Sequence, residues 1–464
     1  MVLSTATRAQ NEGVITSLLP QLPYSNFFNP GIRVPYKGLI GLGVSNVNVS
    51  MYNSSLKYGD MFGSENGETY LDGIKFFNSL DDDNNQMNTA ISLNLLDVGF
   101  RTGRFFFNID VRVKVDENVT YSKDFVGLFL LGNGNYLGAD NPVRFNVGLE
   151  STAYTEVGLG IQYDFGKHLT VGVRPRMLFG VMNAKVNSNG TEIYTDPDNY
   201  AMSANMNFEM QAASIIKTDM ATIRDVVDMV DVFSMDVSSL LDMISIKDNI
   251  GFGVDFGASY VFNRHFGIAA GVRDLGFIKW NDTKVKSNSG SVESVSVFDN
   301  VLDVVDFEFD YKSMLDEIVD NVWGNDTLSD GGTYTTKLNT NVNMQVYYEF
   351  HPTVRFTAIG QMRKIQDEMK TSFTFAYSGS FGRFVNLAAN YTISKQFGNS
   401  LGAGLSLHFG PVNFYAVTDN ILILSNIGKS ALEIATAYNT MSVRAGVVIS
   451  LGRFQKTSDR MAGI

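Results

Sequence analysis

The stretch Gly251-Phe252-Gly253-Val254-Asp255-Phe256-Gly257-Ala258-Ser259-Tyr260-Val261-Phe262 decides the fold. Side chains alternate sides along an extended chain. Phe252, Val254, Phe256, Ala258, Tyr260 and Phe262 therefore share one face, and Gly253, Asp255, Gly257 and Ser259 the other. A strand that is wholly apolar on one side and glycine and charge on the other suits a wall between lipid and a wet interior.

The same split recurs along the chain. Phe105, Phe107, Ile109, Val111, Val113 and Val115 oppose Arg104, Asn108, Asp110, Arg112 and Lys114. Val342, Met344, Val346, Tyr348 and Phe350 oppose Asn341, Asn343, Gln345 and Glu349. Leu401 to Phe409 and Met441 to Leu451 repeat it. A soluble sandwich also alternates. These runs, however, reach about the 9–11 residues that a tilted strand needs to cross a bilayer. The expected fold is all-β: a transmembrane antiparallel β-barrel of about 14 strands, with helical inserts in its outward loops.

Counting tests the reading. Candidate strands lie near 39–51, 90–100, 104–116, 143–165, 171–182, 251–262, 266–279, 333–350, 354–363, 371–378, 385–394, 401–409, 412–419 and 441–452. Tight junctions such as Asp164-Phe165-Gly166-Lys167-His168, Glu349-Phe350-His351-Pro352 and His408-Phe409-Gly410-Pro411 then all fall at one end, together with both termini. Gly, Asn and Pro supply the turn geometry, and the aromatic beside each turn suits the membrane interface. Short turns belong on the periplasmic side of such barrels, so both termini are expected there. Met202, Ala204, Met206, Phe208 and Met210 also alternate. Counted as a spanning strand they break the parity, so they are read as an extension beyond the membrane.

Composition agrees. Charged residues are 18% of the 464, below the roughly 25% of soluble domains. No run approaches the about 20 apolar residues of a membrane helix. There is no cysteine, which removes disulfides, thiolate metal sites and thiol nucleophiles. A net charge of −12 speaks against nucleic acid as a partner. The expected partners are outer-membrane lipid and lipopolysaccharide.

Flanking segments divide as follows. Residues 1–10 read as the remnant of a signal peptide, with Thr7-Arg8-Ala9 before the junction. Residues 11–34 carry Leu18, Leu19, Leu22, Phe27 and Phe28, yet are short and broken by proline. Exposed in water they would form an apolar patch, so they are expected to plug the mouth of the barrel at 35–454. Residues 455–464 form a tail.

Two segments carry a resemblance. Pro20 to Gly31 contains Asn29-Pro30, and Val272 to Trp280 contains Asp274, Leu275, Gly276, Phe277 and Trp280. Together they resemble a family of Bacteroidota outer-membrane proteins defined as a domain of unknown function. More distantly, the layout is similar to FadL fatty-acid transporters and to PorV-like barrels of type IX secretion. The resemblance implies location and a fourteen-stranded barrel with an N-terminal segment in its lumen. It implies no activity.

The chemistry-bearing residues point to no catalyst. His168, His265, His351 and His408 sit beside short turns and do not converge on a metal. Ser406 and His408 share a face, but no acidic residue can be named to orient the histidine. Asp81-Asp82-Asp83 and the acids of 299–320 match no calcium-loop spacing. No enzyme activity, cofactor or metal is expected. Arg104, Arg112, Lys114, Arg174, Arg176, Arg273, Arg355 and Arg363 fall on the inward phase. They either line an anion channel or pair with inward acids such as Asp110 and Asp255; the pairing is preferred.

Two inserts, near 214–246 and 301–323, show helical periodicity. In the first, Ile216, Met220, Ile223, Val227, Val230 and Leu240 form an apolar stripe that lids the barrel or receives a ligand or partner. The expected function is a transporter or pore for a small, hydrophobic molecule. The alternative is a structural barrel that docks other outer-membrane or secretion proteins. Ser406–His408 hydrolysis is the weakest reading.

Overall fold

The computed structural model describes residues 14–19, 22–54, 62–65, 68–71, 73–82, 85–215, 220–222, 224–226, 248–295, 328–365, 368–382, 384–394, 399–421, 440–452, 454 and 461. Fourteen strands build the wall: β1 (Gly38–Asn53), β2 (Asn85–Thr102), β3 (Phe105–Tyr121), β4 (Val147–Phe165), β5 (Leu169–Asn187), β6 (Ile250–Val261) and β7 (Phe266–Val295). The second half comprises β8 (Asn341–His351), β9 (Val354–Ile365), β10 (Glu368–Phe381), β11 (Val385–Ile393), β12 (Ser400–Phe409), β13 (Val412–Thr418) and β14 (Thr440–Leu451).

Each strand pairs antiparallel with its sequence neighbours, and β1 pairs with both β2 and β14, through Val47↔Leu93 and Val47↔Ala445. The fourteen wall strands therefore close into a ring, each paired on both sides. Closure is what a bilayer demands, since a bare strand edge in hydrocarbon leaves backbone groups without partners. Among the described residues no helix is long and apolar enough to cross a membrane, so the crossing falls to the strands.

The outward phase is apolar and exposed. Phe256, Phe373, Phe375 and Leu401 lie on it, each about half exposed or more. Phe165, Phe262, Phe350, Phe381 and Phe409 gather at the end with the short turns, where an aromatic girdle belongs. Both the start of β1 and the end of β14 lie at that same end, with Gly38 opposite Leu451.

Three departures from expectation have local causes. The strand expected over 333–350 is two, Ser329–Lys337 and Asn341–His351, which follow one another along β7. Leu338, between them, donates its backbone N–H to Gly276 O at 3.0 Å. Met202–Ser214 likewise occupies the track of β6 beyond its end, pairing with β5 through Ser214↔Met182 and with β7 through Ala212↔Lys284. The insert after Ser214 thus interrupts a strand track and does not crown a hairpin.

The third concerns facing. Val113 and Val115, expected to meet lipid, are only 1% exposed. Val115 pairs with Ala153, and Ala153 with Met182 across a bulge at Val181. Beyond that bulge the even residues of β5 therefore lie on the wall face opposite Arg174 and Arg176. Met210 and Ala212 continue that face. All of these belong to one buried apolar cluster with Phe76, Phe125 and Met220. The lipid-facing run of β3 ends at Val111.

Candidate functional site

The candidate site is the lumen at the short-turn end. Two short helices precede the wall, α1 (Val14–Leu18) and α2 (Ser25–Phe28). Val14, Leu18, Leu19 and Leu22 are buried in a cluster with the inward residues Ile359, Ala376, Ala388, Val417 and Val448. Small side chains at those wall positions leave room for α1, which lies against β10 to β13.

After α2 the chain makes a turn at Asn29-Pro30-Gly31. The Asn29 side chain accepts from Gly31 N–H at 2.8 Å and donates to Asn343 Oδ1 at 3.2 Å. Wall side chains satisfy the backbone of the turn. Asn343 donates to Phe28 O at 3.1 Å, Gln162 to Pro30 O and Ile32 O at 2.7 Å each, Ser259 to Gly31 O at 2.7 Å, and Arg273 to Phe27 O at 2.9 Å. Non-repetitive backbone can be buried only when such partners exist. Arg33 and Arg101 converge on Asp164 at 2.9 and 2.8 Å.

Inward glycines make the seat. A Cβ at Gly257 would lie 1.9 Å from Asn29 Oδ1, and one at Gly172 would lie 1.9 Å from Pro30 O. Gly31 is required in turn, because its Cβ would meet Ala258 N at 2.2 Å. Gly257, read from its phase as facing an open polar lumen, faces the N-terminal segment instead.

Above the turn the lumen of β3 to β7 is filled by charge. Arg174 binds Asp110, Glu156 at 2.9 Å and Asp255 at 3.0 Å. Arg176 binds Glu156 at 2.7 Å, Asp255 at 2.8 Å and Asp274 at 2.9 Å. Arg112 reaches Asp110 at 3.1 Å, and Lys114 reaches Glu156 and Asp274 at 3.7 Å. Buried charges persist only when paired and hydrogen-bonded. The preferred pairing of inward bases with Asp110 and Asp255 is what the structure shows; Glu156 and Asp274 are the acids that reading did not name. The Arg112 guanidinium also lies 3.7 Å above the Phe27 ring, locking α2 beneath the network. Arg104 is an exception to the inward reading, since it is exposed at the turn between β2 and β3.

The motif on β7 builds this wall. Asp274 has φ +58, at a bulge opposite Asp255, and its N–H donates to Asp255 Oδ1 at 2.8 Å. Leu275 and Phe277 point outward and are exposed, while Gly276, Ile278 and Trp280 alternate inward. Trp280 is fully buried against Gly180, with its N–H on Thr336 Oγ1 at 2.8 Å.

The opposite wall differs. From 370 to 413 the described inward positions include Ser372, Thr374, Ser378, Asn386, Asn390, Thr392, Ser406, His408 and Asn413, with Ala376 and Ala388 among them and the buried Lys370 at the far end of β10. A crevice of about 120 Å³ opens between the N-terminal segment and β8 to β10, lined by polar Ser17, Gln345 and Ser378 and by apolar Ile32, Tyr347 and Val354 among others. Glu349 and Arg355, at its mouth, pair with each other.

The other candidates resolve as follows. His168, His265 and His351 bond Val261 O, Glu349 O and Thr353 Oγ1 at turns. Among the described residues no cluster of metal-binding side chains occurs. Ser406 Oγ and His408 Nε2 are 3.4 Å apart and buried, and the residue across from His408 is Asn413, not an acid. Of the apolar stripe in the first insert, Met220 is buried in the apolar cluster described above. Ile216, Ile223, Val227, Val230 and Leu240 lie outside the described residues, as do 1–13, 301–323 and most of 455–464.

A closed ring, lipid-facing outside and polar within, defines a transmembrane β-barrel with an N-terminal segment seated in its lumen. The chain belongs to the Family of unknown function (DUF5723), whose model matches residues 30–419. No curated protein matches the sequence. Similar solved structures include the toluene transporter TodX of Pseudomonas putida, with 8% identity, 96% of this chain and 94% of that chain covered and a TM-score of 0.41. The toluene transporter TbuX of Ralstonia pickettii has 8% identity, 92% of each chain covered and a TM-score of 0.42. A FadL homologue of Pseudomonas aeruginosa has 10% identity, 96% and 97% covered and a TM-score of 0.42.

Proposed function

We propose that the protein is an outer-membrane pore or transporter for a small molecule, narrowed at its periplasmic end by its own N-terminal segment. The observation that carries this is how the segment is held. Among the described residues it joins no strand pairing; it is held by side-chain hydrogen bonds, a glycine seat, the Arg33–Asp164 ion pair and an apolar cluster around Val14, Leu18, Leu19 and Leu22. The segment therefore fills the lumen without being part of the ring's backbone pairing, so the ring does not need it to close. The outer membrane is the location because it is where edge-free, lipid-facing barrels reside. The short turns support a periplasmic orientation for the termini.

The expectation of hydrophobic cargo rested on the first insert, most of which lies outside the described residues. The described lumen wall is polar and charged along β3 to β7 and carries apolar Ile359, Ala376, Ala388, Val417 and Val448 beneath α1. Deletion of residues 11–34 tests the reading: single-channel conductance in planar bilayers should rise several-fold over the intact protein. Equal conductance from an assembled deletion variant would mean the segment narrows nothing.

A further inference from the structure

Resting on the pore reading, we propose that the crevice between the N-terminal segment and β8 to β10 is the passage for the solute, and that the solute is small, uncharged and hydrophilic, of the size and chemistry of glycerol or urea. Three observations converge on this side of the lumen.

The first is closure elsewhere. Along β3 to β7 the lumen is occupied by four acids and four bases in mutual contact, capped by Phe27 on Arg112. Moving a solute through it would strip buried charges of their partners. The crevice is the space that the seated segment leaves beside the wall.

The second is unmet hydrogen-bonding capacity. Ser378 lines the crevice, is 3% exposed, and its hydroxyl has no partner among the described residues. Buried polar groups take a partner from protein, water or ligand. A hydroxyl or amide solute supplies it in passing, whereas an apolar solute would leave that hydroxyl bare.

The third is the absence of a net field. Glu349 and Arg355 neutralise each other at the mouth, and Arg33 is paired with Asp164. A pore that selected ions would present one sign of charge to the solute. The volume, about 120 Å³, holds several water molecules and limits the solute to a few heavy atoms.

The chain has no cysteine, so a single thiol can be placed without background. The test uses the full-length protein in lipid vesicles and follows swelling in isosmotic glycerol for Ser378→Cys, before and after a bulky methanethiosulfonate reagent. Asn199→Cys, exposed and remote, receives the same treatment. Modification at 378 should bring glycerol entry down to the rate of protein-free vesicles, and modification at 199 should leave it unchanged. Unchanged entry after complete modification at 378, or a thiol there that no reagent reaches, overturns the route. Entry of salt or of toluene without glycerol overturns the solute class while the pore stands. Vesicles that admit none of these solutes refute the pore itself.

Discussion

Gly257 and Phe256 are neighbours with opposite duties. Phe256 is 46% exposed on the outer face, where an arginine at mid-bilayer costs about 2–4 kcal/mol. Gly257 has no such exposure; a methyl group there would meet Asn29 Oδ1 at 1.9 Å and Gly31 N at 2.6 Å. The two substitutions should therefore fail differently. Phe256→Arg should lower the yield of assembled barrel on heat-modifiability gels. Gly257→Ala should assemble as the wild type does and conduct more, because it unseats the turn. A Gly257→Ala protein with wild-type conductance would contradict the glycine seat. From the sequence, the facing of both residues was legible by phase alone. What Gly257 faces was not, because contact with Asn29 spans 228 residues and leaves no local periodic signal.

Among elements, β3 to β7 are bound by charge as much as by backbone pairing. Glu156 on β4 touches Arg112 and Lys114 of β3 and Arg174 and Arg176 of β5. Removing one member of a buried charge network leaves uncompensated partners and typically costs about 3–5 kcal/mol. Glu156→Gln should accordingly lower the midpoint of thermal unfolding in detergent, measured by the same gel shift. Ser372→Ala, on the opposite wall, should barely move it. An unchanged midpoint for Glu156→Gln would mean that the network contributes little. The alternation of Phe105 to Val111 predicted β3, but not that Val113 and Val115 are covered. A bulge at Val181 turns β5 over, and bulges depend on pairing between strands rather than on the run of residues within one. The unity of β5, Met202–Ser214 and β7 was half visible: the methionine stripe announced a strand, and the break in strand parity placed it beyond the spanning ones.

The whole molecule is a closed ring with both ends of the wall on one side, and its seated segment enters from that side. An epitope appended at Ile464 should be protected from protease in intact cells and cleaved once the outer membrane is permeabilised. Digestion in intact cells would reverse the proposed orientation. The central claim, that residues 14–19 and 22–34 sit in the lumen with Asn29 on the wall, has one most direct measurement. Asn29 and Asn343 are joined side chain to side chain at 3.2 Å, and the chain supplies no competing thiol. Asn29→Cys with Asn343→Cys, treated in native membranes with a short bifunctional thiol reagent, should give a cross-linked species of altered gel mobility in high yield. Two free thiols that both label with maleimide, and never with each other, would contradict the account.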